Sequence, residues 1–466
     1  MQQHNDALGT EKISKLVVRL AVPSVVAQLI NLVYNMVDRI YIGHIPEVGS
    51  LALTGIGVCM PLMMILTAFS QLIGAGGAPL ASISLGKQDA PTAERILGSC
   101  TVALILMSIA LTVLVRSISE PLLVLFGASS DTLPYALEYM NLYVWGTLFS
   151  TCSIALNCFI TAQGFTKISM ITVLTGAICN IILDPIFIFA LQMGVRGAAL
   201  ATILSQALSA SLVLVFLSGK RTNLRLQKSG LHIDFRLLGK CLALGLSPFV
   251  MQFTECILFV CFNRSLLKYG GDVAVGAMTI FATVMQLSTL PLVGMAQGVQ
   301  PITGYNYGAG NKTRVAEAFK LLLKISLGYS ALMWLLILLF PHVFILPFTN
   351  DAALIAYSSK MIRIYFAMLL VMGAQLACQN TFVALGNAKT SLFLALLRKV
   401  FLLIPLIYLL PCFLSDQAMA VFLAEPISDT IAATTTLTLF LKQYRDELFV
   451  RGKHLSVSAD SADQER

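Results

Sequence analysis

Residues Thr101–Val115 read TVALILMSIALTVLV, fifteen positions without a charge, in which Thr101, Ser108 and Thr112 are the polar side chains. The apolar residues run on without alternation, which excludes a strand with one wet face. With its flanks the run reaches the roughly 20 residues a helix needs to cross the apolar part of a bilayer. Val58–Ile73, Ile168–Leu183, Leu321–Phe340 and Val400–Leu410 with its flanks have the same character, and short polar turns separate them. Backbone in lipid must satisfy its own hydrogen bonds, so helices or a closed barrel are the choices, and unbroken runs select helices. Of 466 residues, 57% are hydrophobic and 12% charged, against roughly 25% charged in a soluble domain. Such a chain cannot cover itself with polar surface.

Working outward from these runs gives an all-α polytopic membrane protein of twelve transmembrane helices. They are placed near 20–43, 51–84, 93–116, 135–163, 167–191 and 197–217, then near 240–268, 274–305, 315–340, 354–385, 389–411 and 417–441. The first 19 residues are polar and charged and no small-residue cleavage site follows a short apolar core, so no signal peptide is read. The ten cysteines lie in apolar stretches without CxxC spacing or nearby histidine clusters, which makes them small buried hydrophobes rather than metal ligands or disulfides.

The net charge of +8 is explained by position. With both ends on one side, the connections facing that side and the two termini hold 24 of the 31 basic residues, Arg398 and Lys399 among them. The positive-inside rule then puts both termini in the cytoplasm. The excess charge is topogenic, and no nucleic-acid partner is needed to account for it. Arg398 and Lys399 lie about nine residues into their helix and must snorkel or face a cavity.

The two halves resemble each other. LAVP (Leu20–Pro23) answers LGLSP (Leu244–Pro248), Pro79 with Gly86 answers Pro301 with Gly308, and FITAQG (Phe159–Gly164) answers TFVALG (Thr381–Gly386). The reading is a six-helix lobe over residues 1–219, a basic cytoplasmic linker over 220–239, and a second six-helix lobe with a polar tail over 240–466. Two pseudo-symmetric lobes around a central, V-shaped cleft suit alternating access, because rocking one lobe on the other exposes the cleft to each side in turn.

Acidic residues at membrane depth need a reason. The first span carries Gln28, Asn31, Asn35 and Asp38 as one polar stripe, and the fifth carries Asn180 and Asp184 at i, i+4 just before Pro185. Thr202 lies on the sixth at a similar depth. Either these groups pair with one another to hold the first lobe together, or the two carboxylates, lacking a basic partner, hold a proton or a metal cation between them. In the second lobe Glu255 sits near mid-span on a face with Gln252. Glu425 and Asp429 flank Pro426 at i, i+4 and read as structural. Asn35, Gln252, Glu255, Gln375, Gln379 and Met285 are the candidate cavity-lining contacts for substrate.

NMVDRIYIG (Asn35–Gly43), GAGGAPLASISLGK (Gly74–Lys87), ITAQG (Ile160–Gly164), NIILDPIFIF (Asn180–Phe189) and GVRGAALAT (Gly194–Thr202), in this order and spacing, resemble the MATE family of multidrug and toxic-compound extrusion transporters over essentially the whole chain. The resemblance implies antiport of organic cations and other amphipathic compounds against protons or sodium, with the cation-coupling residues falling on Asp38, Asn180, Asp184, Thr202 and Tyr139. Tyr143 lies one turn from Tyr139. Members described as sodium-coupled also use an acid on the seventh helix and another on the tenth. Here Glu255 supplies the first, but the tenth span offers Gln375 and Gln379 and no acid, which shifts weight to the first lobe.

The expectation is therefore a multi-pass, monomeric secondary transporter of a bacterial cytoplasmic (inner) membrane. It exports small organic molecules and carries no cofactor or resident metal beyond a possible Na⁺ at Asp38 and Asp184. The alternative is a lipid-linked precursor flippase of the same superfamily, which would line its cleft with several Arg or Lys residues. An intramembrane enzyme is not expected, because HExxH, GxSxG and paired catalytic carboxylates in a water-facing motif are absent.

Overall fold

The computed structural model describes residues 7–445 except 47, 228, 229 and 350. Among them, ten helices are each long and apolar enough to cross a membrane. They are α1 (Ile13–Gly43), α2 (Leu51–Gly86), α3 (Ala90–Leu125), α4 (Leu133–Ala162), α5 (Thr166–Ala190), α6 (Gly194–Ser218), α7 (Phe235–Gly271), α8 (Val273–Gly308), α9 (Lys312–Leu339) and α11 (Ala388–Phe413). A pair bent by 47°, Ala352–Tyr365 and Leu369–Ala384, forms α10 as an eleventh. The 28-residue α12 (Gln417–Tyr444), which carries Glu425 and Asp429, completes twelve.

Short side chains start these helices where the chain emerges from lipid. Asp89 accepts from the Thr92 backbone N–H at 3.1 Å at the head of α3, and Asn311 accepts from that of Arg314 at 3.3 Å at the head of α9. The two caps are repeat counterparts and satisfy otherwise orphaned first-turn donors. Hydrogen bonds from Thr92 hold the Asp89 carboxyl below the usual carboxylate range. Between α7 and α8 the backbone turns at Gly271, whose φ of 63° is costly for residues with a Cβ.

Each half buries its own apolar core. In the second, Phe281 stacks on Tyr365 at 5.6 Å and meets Phe422 edge-on at 5.4 Å. In the first, Tyr139, Met140 and Phe159 are fully buried on α4. The halves then close on each other through backbone. A Cβ on Gly86 of α2 would overlap the Tyr305 carbonyl of α8, and one on Gly308 would overlap the Ile83 carbonyl. Deeper in, the same relation links Gly76 with Cys241 and Gly245 with Leu72. The Gly86 and Gly308 contacts are repeat counterparts, and Gly76 against α7 is answered by Gly298, where a Cβ would overlap the Ala21 backbone of α1, so the seam has the internal symmetry of the sequence. Small residues allow this approach, and dispersion between close-packed backbones holds it.

Side chains add little to the seam. Gln28 Nε2 donates to Gln297 Oε1 at 2.8 Å and Ser82 Oγ to the Pro301 carbonyl at 3.3 Å. At the same end the start of the described chain is tied down: Asn306 Nδ2 and Arg314 Nη2 donate to the Leu8 carbonyl at 2.9 and 3.1 Å. The molecule is thus sealed at the end where α1 begins. Asp38 stands near the other end of α1, five residues before Gly43.

Candidate cation and substrate sites

In the first lobe, Pro185 interrupts α5 because it lacks an N–H, and the backbone loosens into a π-helical turn over Ile186–Ala190. Asn180 and Asp184, on the last regular turn, are 2% and 0% exposed, and Asn180 Nδ2 donates to Asp184 Oδ1 at 3.1 Å. The Asp38 carboxyl on α1 lies within hydrogen-bonding reach of Asp184. Tyr139 on α4 lies close to Thr202 on α6, whose hydroxyl donates to the Ala198 carbonyl at 3.0 Å. Tyr139 also stacks on Tyr143 at 5.7 Å.

The structure therefore brings Asp38, Asn180, Asp184, Tyr139 and Thr202 into one neighbourhood. Asn35 is on its rim, exposed, with Nδ2 donating to the Asn31 carbonyl at 2.6 Å. Three buried oxygens in this group, Asp38 Oδ1, Asn180 Oδ1 and Asp184 Oδ2, receive no hydrogen bond. Neither aspartate forms an ion pair among the described residues. Acceptors gathered without donors attract positive charge, which a proton shared between the carboxyls or a small cation would supply.

The second lobe is arranged otherwise. A π-helical segment, Leu397–Leu403, interrupts α11, and both cations of the consecutive pair Arg398 and Lys399 reach acids inside the protein. Arg398 Nε donates to Asp429 Oδ1 at 2.7 Å and Nη2 to Glu425 Oε1 at 3.3 Å, both on α12. Lys399 Nζ donates to Glu255 Oε1 on α7 at 2.6 Å. The Arg398 and Lys399 side chains are 11% and 7% exposed.

Two expectations are corrected by this. Arg398 and Lys399 do not belong to the basic residues of the terminal face, which number 22 without them, because each is neutralised within the span. Nor is Glu255 a lone mid-span acid: it is one of three carboxylates held by two cations. Counting charge along the sequence treats an Arg-Lys pair near a helix start as interfacial. What reverses that here is the presence of acids on α7 and α12 at the same depth, which a linear tally does not register.

The remaining candidates divide. Gln379 is fixed by Nε2 hydrogen bonds to Ser247 Oγ at 3.1 Å and to the Ser391 carbonyl and hydroxyl at 2.9 and 3.0 Å. Gln375 Oε1 is buried with no partner, beside a cavity of about 20 Å³ lined by Met251, Gln375, Gln379, Arg398 and Lys399. Met285 packs against the second lobe's apolar core, and Gln252 is half-buried on α7. Sequence reasoning passed over Tyr34, which hydrogen-bonds to Asn35 and neighbours Asp38 and Asp184. Its place four residues before Asp38, on the same helix face, was the available signal.

Compared with known proteins, the chain is matched by the sequence profile of the MatE family over residues 23–186 and again over 248–409. The chain belongs to the MatE family. The two matched stretches fall one in each half, so the duplication is a property of the family domain itself. MatE relatives include the multidrug export protein MepA of Staphylococcus haemolyticus (strain JCSC1435), 24% identical over 398 residues, covering 85% of this chain and 87% of the relative. MepA of Staphylococcus aureus (strain N315) is likewise 24% identical, over 401 residues, with the same coverage. Among solved structures, that of the MATE multidrug transporter DinF-BH is 33% identical with a TM-score of 0.86, covering 94% of this chain and 97% of that one. A MATE crystal structure in the bent conformation shares the fold at a TM-score of 0.88 and 22% identity, covering 94% and 97%. This MatE chain is accordingly a multi-pass membrane protein of a transporter family.

Proposed function

We propose that the protein exports amphipathic, cationic small molecules from the cytoplasm by antiport against a cation, using alternating access. The observation that carries this is the set of unsatisfied acceptors on Asp38, Asn180 and Asp184, with neither aspartate ion-paired among the described residues. A proton or sodium ion joining those acceptors changes the charge at the junction of α1, α5 and α6, and its departure changes it back. One charge moving through about 100 mV releases about 2.3 kcal/mol, roughly fiftyfold in a concentration ratio, so a single such site suffices to drive uphill export. The relatives named for multidrug export support the substrate class.

The charge pattern supports an inner-membrane orientation with both termini in the cytoplasm, which makes the sealed end of the seam the cytoplasmic one. Neither the described contacts nor the internal repeat calls for a second copy, and the working unit is taken as a monomer. A lipid-linked precursor flippase would want unneutralised cations for a pyrophosphate. Arg398 and Lys399 face three carboxylates, so that reading is disfavoured.

The test is transport in proteoliposomes with proton and sodium gradients imposed separately. Asp38→Asn should abolish gradient-driven export of a cationic dye. Unchanged export would remove the proposal, and the gradient that works names the coupling ion.

A further inference from the structure

Glu255 lies on α7, the helix that touches the first lobe one residue further on. The next residue, Cys256, has its Sγ 3.6 Å from the Pro61 carbonyl of α2, while Lys399 approaches Glu255 from α11, inside the second lobe. The pair is lopsided, since the Lys399 side chain is 7% exposed and that of Glu255 is 46% exposed. One face of the carboxylate is therefore taken by an internal ammonium and the other is open to a visitor. The wider cluster of Arg398, Lys399, Glu255, Glu425 and Asp429 carries one more acid than base when all are charged, which leaves room for one positive charge. Gln375 lines the same small cavity as Lys399, is 7% exposed, and its Oε1 lacks any donor.

Lys399 thus bonds Glu255 and shares a cavity with a glutamine whose acceptor is unused. We propose that Glu255 anchors the single positive charge of a substrate and that Lys399 is its tethered competitor, yielding the carboxylate and turning to Gln375 Oε1 when the substrate arrives. A lysine suits this because its ammonium is a point charge on a flexible stem. Arg398, gripped by two carboxylates through a planar fork, does not move. The consequence for specificity is that a substrate must outbid an ammonium already in place. A bulky organic cation gains apolar contacts that a small hydrated ion does not, so the second lobe selects organic cations over inorganic ones. The inference rests on the export reading only for the class of ligand.

The experiment is equilibrium binding of tetraphenylphosphonium, a permanently charged monocation, to the purified full-length protein in lipid nanodiscs with no ion gradient. Lys399→Gln should tighten binding at least about tenfold, since a like charge within a few ångströms of the ligand is removed. Lys399→Arg should weaken it or leave it unchanged. Glu255→Gln should weaken binding, and Glu255→Gln with Lys399→Gln should match Glu255→Gln alone. Gln375→Leu, which leaves both charged residues in place, should weaken binding several-fold by removing the second acceptor. A folded Lys399→Gln protein that binds no tighter overturns the proposal, as does Glu255→Gln binding like the wild type. Should Lys399→Gln fail to fold, wild-type affinity in Gln375→Leu overturns it alone. Because binding is read without a gradient, loss of the antiport reading through Asp38→Asn transport leaves this measurement standing, and the reverse also holds.

Discussion

The two lobes share a backbone plan and differ in how they treat buried charge. In the first, Asp38, Asn180 and Asp184 carry three orphaned acceptor oxygens, and neither aspartate is ion-paired among the described residues. In the second, Arg398 and Lys399 are built into α11 and pair with Glu255, Glu425 and Asp429, Glu255 alone keeping an exposed face. Helices α5 and α11 are counterparts, and each contains a π-helical turn. In α5 it follows an acid and a proline, Asp184 and Pro185, whereas in α11 it contains two cations. The difference teaches that duplication conserves geometry while charge is free to diverge. One lobe leaves its buried acids without an ion pair among the described residues, and the other pairs them with its own cations.

The comparison can be broken most decisively at Arg398. Arg398→Met leaves Glu425 and Asp429 buried without a partner and should cost about 3–5 kcal/mol, read as a large fall in the thermal unfolding midpoint. Asp184→Asn should instead leave the midpoint nearly unchanged while abolishing gradient-driven transport, because no partner is orphaned. Equal destabilisation by the two changes would erase the contrast between a structural and an exchangeable site.

The packing symmetry is tested at the seam. Gly308→Val and Gly86→Val, which place side chains against the Ile83 and Tyr305 carbonyls, should both loosen the sealed end. Maleimide labelling of a cysteine introduced by Ser82→Cys, at a position 1% exposed in the closed seam, should then accelerate several-fold. A response to one glycine but not the other would show that the seam is less symmetric than its contacts.

The smallest effect concerns the caps. Asp89→Ala and Asn311→Ala should each lower the unfolding midpoint slightly, but with different pH behaviour. Because the folded Asp89 carboxyl is held below its usual range by Thr92, its contribution is present above the ordinary carboxylate pKa and is lost as pH falls through the depressed value. The Asn311 contribution should be flat across the same window. Midpoints of the two variants and the wild type, compared between neutral and acidic pH, check this.

How far the sequence carried these conclusions follows the same division. The spans, the repeat and the first-lobe stripe were legible because they depend on composition and on local spacing: Asn180, Asp184 and Pro185 announce themselves within six residues. Tyr34 was equally local and was overlooked only because tyrosine is unremarked in an apolar span. The second-lobe cluster was not legible, since Lys399 meets Glu255 across 144 positions and the π-helical segment that accompanies the contact has no signature in residue types. The glycines could be seen to repeat, but their backbone approaches depend on how α2 and α8 cross.

That crossing has a mechanical consequence. Carbonyls and glycines meet across the seam, and the side-chain hydrogen bonds described between the halves, from Gln28, Ser82, Cys256, Asn306 and Arg314, join no pair of opposite charges, so parting the lobes breaks no described salt bridge. Such a joint offers little friction and little sensitivity to salt or acidity. In the proposed alternating-access cycle, the timing of each stroke would then be left to whatever occupies the charged sites, and the joint itself would stay indifferent to its cargo.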